Sequence, residues 1–157
     1  MRGVREATAL HGTAASDALV EGIFDGTDWI RLHAMIRSGL AREEYGAATV
    51  TRFLSLCLVT EEVRPMLRRL IVPERSWKRR VKGSPLSASE MERLLAVGEV
   101  VRETRRLYGD EAVAAERFLT RPHPRLKGQS PILSAAMEGG AQAVRELLAR
   151  MDEGAPV

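Results

Sequence analysis

The stretch RRLYGDEAVAAERFLTRPHPRLKGQSPILSAAMEGGAQAVRELLARMDEG, from Arg105 to Gly154, contains three short helix signals separated by two breaks. Gly109 ends the preceding helix, because glycine tolerates the left-handed conformation that helix ends often adopt. Asp110 is a suitable N-cap for the helix that follows. That helix stops at Pro122 and Pro124, which cannot donate a backbone hydrogen bond. The first half of the stretch is therefore predicted to be one short helix between two firm boundaries.

The second half of the stretch follows the same plan. Ser130 and Pro131 are typical of an N-cap followed by the first helical residue, and Gly139-Gly140 breaks that helix. The last helix carries an apolar stripe, which is formed by Val144, Leu147, Leu148 and Met151. A compact module with so little polar chemistry inside it favours binding to another protein.

The composition of the 157-residue chain favours helices over strands. Hydrophobic residues make up 45% of the chain but aromatic residues only 4%, so the core must consist of Leu, Val, Ile, Ala and Met. Strands draw on β-branched and aromatic residues, and no segment alternates between apolar and polar residues. We therefore predict an all-α fold, either as one domain or as two small helical units that share a core.

The upstream sequence divides into an arm and a series of helices. Residues 1–26 are small and polar, and we expect a flexible N-terminal arm with one short helix around Ala15 to Phe24. Residues 27–86 form a first helical domain, and residues 87–157 comprise a long connecting helix and the C-terminal module. The long helix is expected from Ser87 to about Tyr108, with Ser87 and Glu90 forming a capping box. The earlier helix signals begin near Asp28, Tyr45, Thr60 and Pro73.

Eight basic residues lie between Arg64 and Lys82, with Glu74 as the only acid. They cover two short helices with a tight connection, which is typical of a helix-turn-helix that places its second helix in the major groove. An alternative is a solvated basic face or a patch that binds an acidic protein. Because Pro65 cannot lie in a regular helix interior, the first helix either begins near Arg64 or is kinked. The candidate DNA contacts are Arg75, Ser76, Lys78, Arg79, Arg80 and Lys82.

Enzymatic constellations are missing from the sequence. The histidines at positions 11, 33 and 123 are scattered, and none has metal-ligand spacing to Cys, Asp or Glu. We therefore expect no catalytic residue, metal, cofactor or enzyme activity. Cys57 is the only cysteine and falls on an apolar helix face, which indicates a buried, inert thiol in a reducing compartment. No run approaches the ~20 apolar residues of a membrane span, so we expect a cytoplasmic protein without a membrane partner.

The C-terminal stretch resembles the toxin-binding domain of the Xre/MbcA/ParS family of bacterial antitoxins. Upstream, residues 36–40 and the helix from Pro73 to Arg80 resemble, more loosely, the landmarks of the family's Xre-like helix-turn-helix. The residues that carry the C-terminal resemblance are Tyr108, Gly109, Phe118, Leu119, Arg121, Pro122, His123, Pro124, Leu126, Gly128, Pro131, Gly140, Val144, Leu147, Leu148 and Met151 to Gly154.

The resemblance implies an antitoxin that neutralises a RES-domain toxin, which attacks NAD or uses it to modify a target. It implies that the C-terminal domain covers the toxin's active site, that the helix-turn-helix represses the shared operon, and that the protein is a homodimer. The acidic Asp152-Glu153 end is a candidate to mimic or block an anionic ligand. The toxin-binding residues so implied are Leu126, Lys127, Gly128, Pro131, Arg145, Leu148, Met151, Asp152, Glu153 and Gly154.

Two other functions fit the same sequence. One is a helix-turn-helix transcription regulator without a toxin, which would use its C-terminal domain for dimerisation or for another partner. The other is a helical adaptor that has lost DNA binding. Rescue of growth by co-expression with the candidate toxin separates the antitoxin from both.

Overall fold

The computed structural model describes residues 14–25, 34, 38, 45–57, 60–109 and 111–157, and these residues contain helices and no strands. The predicted all-α fold is confirmed for this part of the chain. The helix signals around residues 27–44 and the expected cap Asp110 lie outside the described residues. The elements in chain order are α1 (Ala14–Asp25), α2 (Ala47–Leu56), α3 (Val63–Ile71), α4 (Glu74–Val81), α5 (Ala88–Leu107), α6 (Ala112–Thr120), a 3-10 turn (Pro124–Leu126), α7 (Pro131–Ala135) and α8 (Gly140–Asp152).

Helix α5 is the axis of the fold. It has 20 residues and is therefore about 30 Å long. The predicted capping box at its start is present, since the Glu90 N–H donates to Ser87 Oγ and the Ser87 N–H donates to the Glu90 carboxylate. Helices α1, α3, α6, α7 and α8 all contact α5. Because α5 is buried along most of its length, it joins the two halves of the chain in one core.

Helix α1 packs against α5 at a position where α5 has no side chain. Leu19, Val20 and Ile23 of α1 are buried, and a Cβ at Gly98 would lie 2.2 Å from Ile23 Cγ2. The helix expected around Ala15 to Phe24 is present as α1, and the flexibility of the N-terminal arm stays a prediction. The apolar side chains of α1 belong to the main core, and only a glycine on α5 lets the two helices approach so closely.

The start of α3 explains how Pro65 is accommodated. Helix α3 begins at Val63, and Thr60 to Glu62 form a turn in which the Val63 N–H donates to the Thr60 carbonyl. Pro65 is therefore in the first helical turn, where it removes one backbone donor without crowding an earlier turn. The structure thus agrees with a helix that begins near Arg64 rather than with a kink.

The core is continuous between the two predicted domains. Leu67 and Ile71 of α3 lie in the same buried cluster as Ile132 of α7, and α3 contacts α7 directly. The division of the chain at residues 26 and 86 stays a prediction. Among the described helices, none is long and apolar enough to cross a membrane.

Candidate functional site

The loop between α6 and α7 is closed by hydrogen bonds that start at His123. The His123 N–H donates to the Gln129 carbonyl at 3.0 Å, and the His123 carbonyl accepts from the Gly128 N–H at 3.1 Å. His123 Nδ1 also accepts from the Arg125 N–H at 3.2 Å and so caps the 3-10 turn. His123 is partly buried and organises the loop. The signal for this role was the Pro that follows it at the first position of the turn.

Two successive left-handed residues form the tip of this loop. Lys127 has φ 57° and Gly128 has φ 78°. For a non-glycine residue this conformation costs roughly 1–2 kcal/mol, so the surrounding hydrogen bonds must hold it. Both residues are exposed. The tip, here called the Lys127-Gly128 turn, is therefore a rigid surface feature rather than a loose connection.

The C-terminal end of α8 is fixed by a Schellman motif. Gly154 has φ 73°, its N–H donates to the Met151 carbonyl at 3.1 Å, and the Ala155 N–H donates to the Arg150 carbonyl at 2.9 Å. Arg106 of α5 contacts Asp152 at 3.4 Å. The chain beyond α8, here called the tail (residues 153–157), therefore leaves the helix in one defined direction.

The structure brings the Lys127-Gly128 turn and the tail close together. Arg125, two residues before Lys127, donates a hydrogen bond to the Pro156 carbonyl at 3.5 Å. The 3-10 turn also contacts α8. Neither Arg125 nor Arg106 was among the predicted site residues, because each acts through a partner that is distant in the sequence. Together they join two segments of the predicted surface.

The predicted toxin-binding residues divide by exposure. Lys127, Gly128, Asp152, Glu153 and Gly154 are exposed, and Met151 is partly exposed. Arg145 is 39% exposed and is paired with Glu99 of α5 at 2.9 Å.

The structure buries three of the predicted contact residues, which are Leu126, Pro131 and Leu148. The family resemblance implied that they contact the toxin, whereas in this chain their apolar side chains pack against its own core. Leu148 also lines a pocket together with Asp152 and Glu153. Contact of these three residues with a toxin stays a prediction.

Helix α4 presents its basic residues on one face. Arg75, Lys78, Arg79 and Lys82 are exposed, and within the described part of the chain none of them has an ion-pair or hydrogen-bond partner for its side chain. They follow the helical spacing i, i+3, i+4 and i+7, which places them on one side of α4. We call these four residues the basic stripe, and it extends for about 10 Å.

The opposite face of α4 carries two of the predicted DNA contacts. Ser76 is buried. Arg80 is 12% exposed and forms a bidentate ion pair with Glu90, whose side chain is 3% exposed, through Nε at 2.9 Å and Nη2 at 3.0 Å. The run of basic residues gave no sign of which side chain would turn inward. Ser76 and Arg80 therefore face the interior of the fold and not the side of the basic stripe.

The Glu90 carboxylate is held in its charged form. Burial acts to raise the pKa of Glu90, but the hydrogen bonds from Arg80 and from the Ser87 N–H, with the charges of Arg80 and Arg93, outweigh burial and lower the pKa below its ordinary value. At the other end of α4, Glu74 pairs with Arg68 at 2.5 Å, and the Arg68 guanidinium lies 4.8 Å from the centre of the Trp77 ring. Ion pairs with α3 and α5 therefore fix α4 at both ends.

Other chemistry is sparse in the described residues. They contain no group of three or more His, Cys, Asp or Glu side chains that could hold a metal ion. Cys57 is buried, and burial raises the pKa of its thiol well above the ordinary range. The expectation of a buried cysteine is confirmed.

These observations define a small helical protein whose C-terminal part carries an ordered turn and a capped helix end on its surface. Residues 104–154 match the family described as the antitoxin Xre/MbcA/ParS C-terminal toxin-binding domain. A curated relative from Pseudomonas putida, "Antitoxin Xre", is 31% identical over 91 residues, which are 57% of each chain. The chain thus spans 57% of the length of this relative. By these two matches the chain is similar to the Xre/MbcA/ParS antitoxins, and residues 104–154 carry the similarity to their toxin-binding domain, as the resemblance indicated.

Proposed function

We propose that the chain is the antitoxin of a type II toxin–antitoxin system and that it neutralises a RES-domain, NAD-consuming toxin by covering its active site. The observation that carries the proposal is the match of residues 104–154 to a toxin-binding domain. The family resemblance is what implies that the partner is a RES-domain toxin. NAD and DNA are both found in the cytoplasm, and we place the complex there.

The geometry of the C-terminal domain supports this role. The Lys127-Gly128 turn and the tail are each fixed by backbone hydrogen bonds before any partner arrives. A surface that is already ordered loses little conformational entropy on binding, so more of its contact energy contributes to affinity. The turn and the tail are joined through Arg125 and can meet one partner together.

The exposed residues of these segments determine how the surface can bind. Lys127 offers a positive charge and Glu153 a negative charge, and no ion pair engages either side chain within the described residues. Asp152 is already paired with Arg106, so it helps to hold the tail. We therefore assign direct toxin contact to Lys127, Gly128, Met151, Glu153 and Gly154, with Asp152 and Arg145 at the margin of the surface.

Co-expression with the toxin that is encoded beside the gene tests the proposal. The wild-type chain should restore growth, and Lys127→Glu or Glu153→Arg should weaken rescue because each reverses an exposed charge on the proposed surface. Lys82→Glu is the matched control, since it reverses an exposed charge on α4 and should leave rescue intact. Failure of the wild-type chain to rescue growth or to co-purify with the toxin would favour the regulator or adaptor alternatives.

A second proposed function is binding to operator DNA, and the basic stripe favours it. Four exposed cations over about 10 Å suit the phosphates that flank a major groove. The family resemblance implies a homodimer, whose two stripes would match the half-sites of a palindromic operator. Binding to a duplex from the upstream region should weaken steeply with salt, because each neutralised phosphate releases counterions. A duplex affinity that does not change with salt would contradict this function.

A further inference from the structure

We infer that Arg80 is a positioning residue for the basic stripe: its buried ion pair with Glu90 orients α4, and Arg80 itself does not contact nucleic acid. The inference rests on the proposed DNA binding. It separates the residues of α4 that contact DNA from the residue that orients the helix. Arg79 and Arg80 are adjacent in the sequence and would be counted together as DNA contacts. The structure assigns them to opposite functions.

The two faces of α4 carry the first part of the argument. Ser76, Trp77, Arg80 and Val81 are buried or partly buried, whereas Arg75, Lys78, Arg79 and Lys82 are exposed. Successive residues on a helix are about 100° apart, so a partner that meets Arg79 from outside cannot also reach the inward face. Arg80 Nε and Nη2 both donate to the carboxylate oxygens of Glu90.

The Glu90 carboxylate connects α4 to the backbone of α5. Glu90 Oε2 accepts from Arg80 Nε at 2.9 Å and also from the Ser87 N–H at 2.9 Å. The same carboxylate thus completes the capping box of α5 and holds the C-terminal end of α4. Arg93 of α5 donates to the Ile71 carbonyl at the end of α3, which fixes the connection between α3 and α4 from the same helix.

Helix α4 needs this support because it is short. It has 8 residues, and isolated helices of that length are marginal in water. Its outward face consists of like charges, which repel one another and do not help the helix to form. The orientation of the stripe therefore depends on contacts made by the inward face, and the buried ion pair is the strongest polar contact there.

Double replacement separates positioning from contact. In Arg80→Met the Glu90 charge is left buried without its partner, and breaking a buried pair in this way is strongly destabilising. In the double variant Arg80→Met with Glu90→Gln the charge is removed from both positions, while the Gln side-chain oxygen can still accept from the Ser87 N–H. Replacement of a buried pair by neutral side chains of similar volume is often tolerated.

The experiment measures affinity for a fluorescent duplex from the region upstream of the gene, in the full chain, at several salt concentrations. Arg80→Met should weaken binding about tenfold while the slope of log affinity against log salt stays that of the wild type. The double variant should return to within about threefold of wild-type affinity with the same slope. Arg79→Met, the matched control on the outward face, should reduce the slope by about 0.9.

Two outcomes would overturn the inference while leaving DNA binding in place. One is a slope that falls in Arg80→Met as it does in Arg79→Met. The other is a double variant that binds no better than Arg80→Met although its circular dichroism and thermal unfolding match the wild type. If the wild-type chain binds no duplex at any salt concentration, the proposed DNA function and this inference both fail.

Discussion

Replacement of Gly140 by alanine probes the packing that holds the C-terminal domain together. A Cβ on Gly140 would lie 1.7 Å from the Ser134 carbonyl oxygen and 2.6 Å from the Ser134 carbonyl carbon. Ordinary contacts of a Cβ begin at about 3.4 Å, so Ser134 and Gly140 would have to separate by about 1.7 Å. The obstructing atoms belong to the backbone of α7 and cannot rotate away. Overpacking of this kind costs about 1–3 kcal/mol, and we expect the upper end, about 3 kcal/mol.

Gly139→Ala is the matched control for this substitution. Gly139 has φ 72°, but a Cβ there meets nothing within 4 Å, so only backbone strain of about 1 kcal/mol is expected. Thermal unfolding followed by far-ultraviolet circular dichroism should show a Tm loss of about 6–12 °C for Gly140→Ala and about 2–4 °C for Gly139→Ala. Equal losses, or a larger loss for Gly139→Ala, would refute the account of how α7 and α8 pack.

Three further outcomes are expected. Gly98→Ala places a Cβ 2.2 Å from Ile23 and 3.2 Å from Phe53, and should lower the free energy of unfolding in urea by about 1–3 kcal/mol; an unchanged urea midpoint would contradict this. The pKa of Glu90 is lowered in the folded state. Its stabilising effect is therefore present above the unfolded-state pKa of about 4.3 and is lost as pH falls through the folded-state value. For this reason Glu90→Gln should lose less stability between pH 6 and pH 3 than the wild type. Cys57 should react with a thiol reagent only after unfolding, and rapid reaction in the native state would show that its burial is wrong.

Local signals in the sequence predicted the helices well. The capping box of Ser87 and Glu90, the proline at position 131 and the glycine at position 109 each mark a boundary that the structure confirms. These features act within a few residues, so their effect on the backbone can be inferred without knowing the fold. The same signals placed the breaks of the C-terminal domain.

Side-chain orientation was less accessible from the sequence. Arg80 lies in a run of exposed cations, and its partner Glu90 is ten residues away on another helix. The spacing of Ser76 with Arg80 and of Trp77 with Val81 does indicate an inward face of α4. Only the fold shows which carboxylate pairs with Arg80 on that face. Leu126 and Leu148 show the same limit, since an apolar residue at a boundary can serve the core or a partner.

Two roles depended on tertiary contacts whose partners the sequence does not identify. Gly98 in the long helix α5 marks the close approach of α1, and a glycine inside a helix is a sign of such packing. The left-handed conformation of Lys127 could not be predicted, because the neighbouring Gly128 is the residue expected to adopt that conformation. In both cases the conformation follows from the tertiary structure.

Amide hydrogen exchange of the full chain, with and without a candidate RES-domain toxin, tests the proposed toxin contact most directly. Protection on complex formation should concentrate in residues 124–130 and 150–155, which contain the Lys127-Gly128 turn and the Schellman motif. The amides of α4 should exchange at the same rate in both states. Protection confined to α4, or no change at residues 124–130 and 150–155 in a complex that forms, would contradict the account.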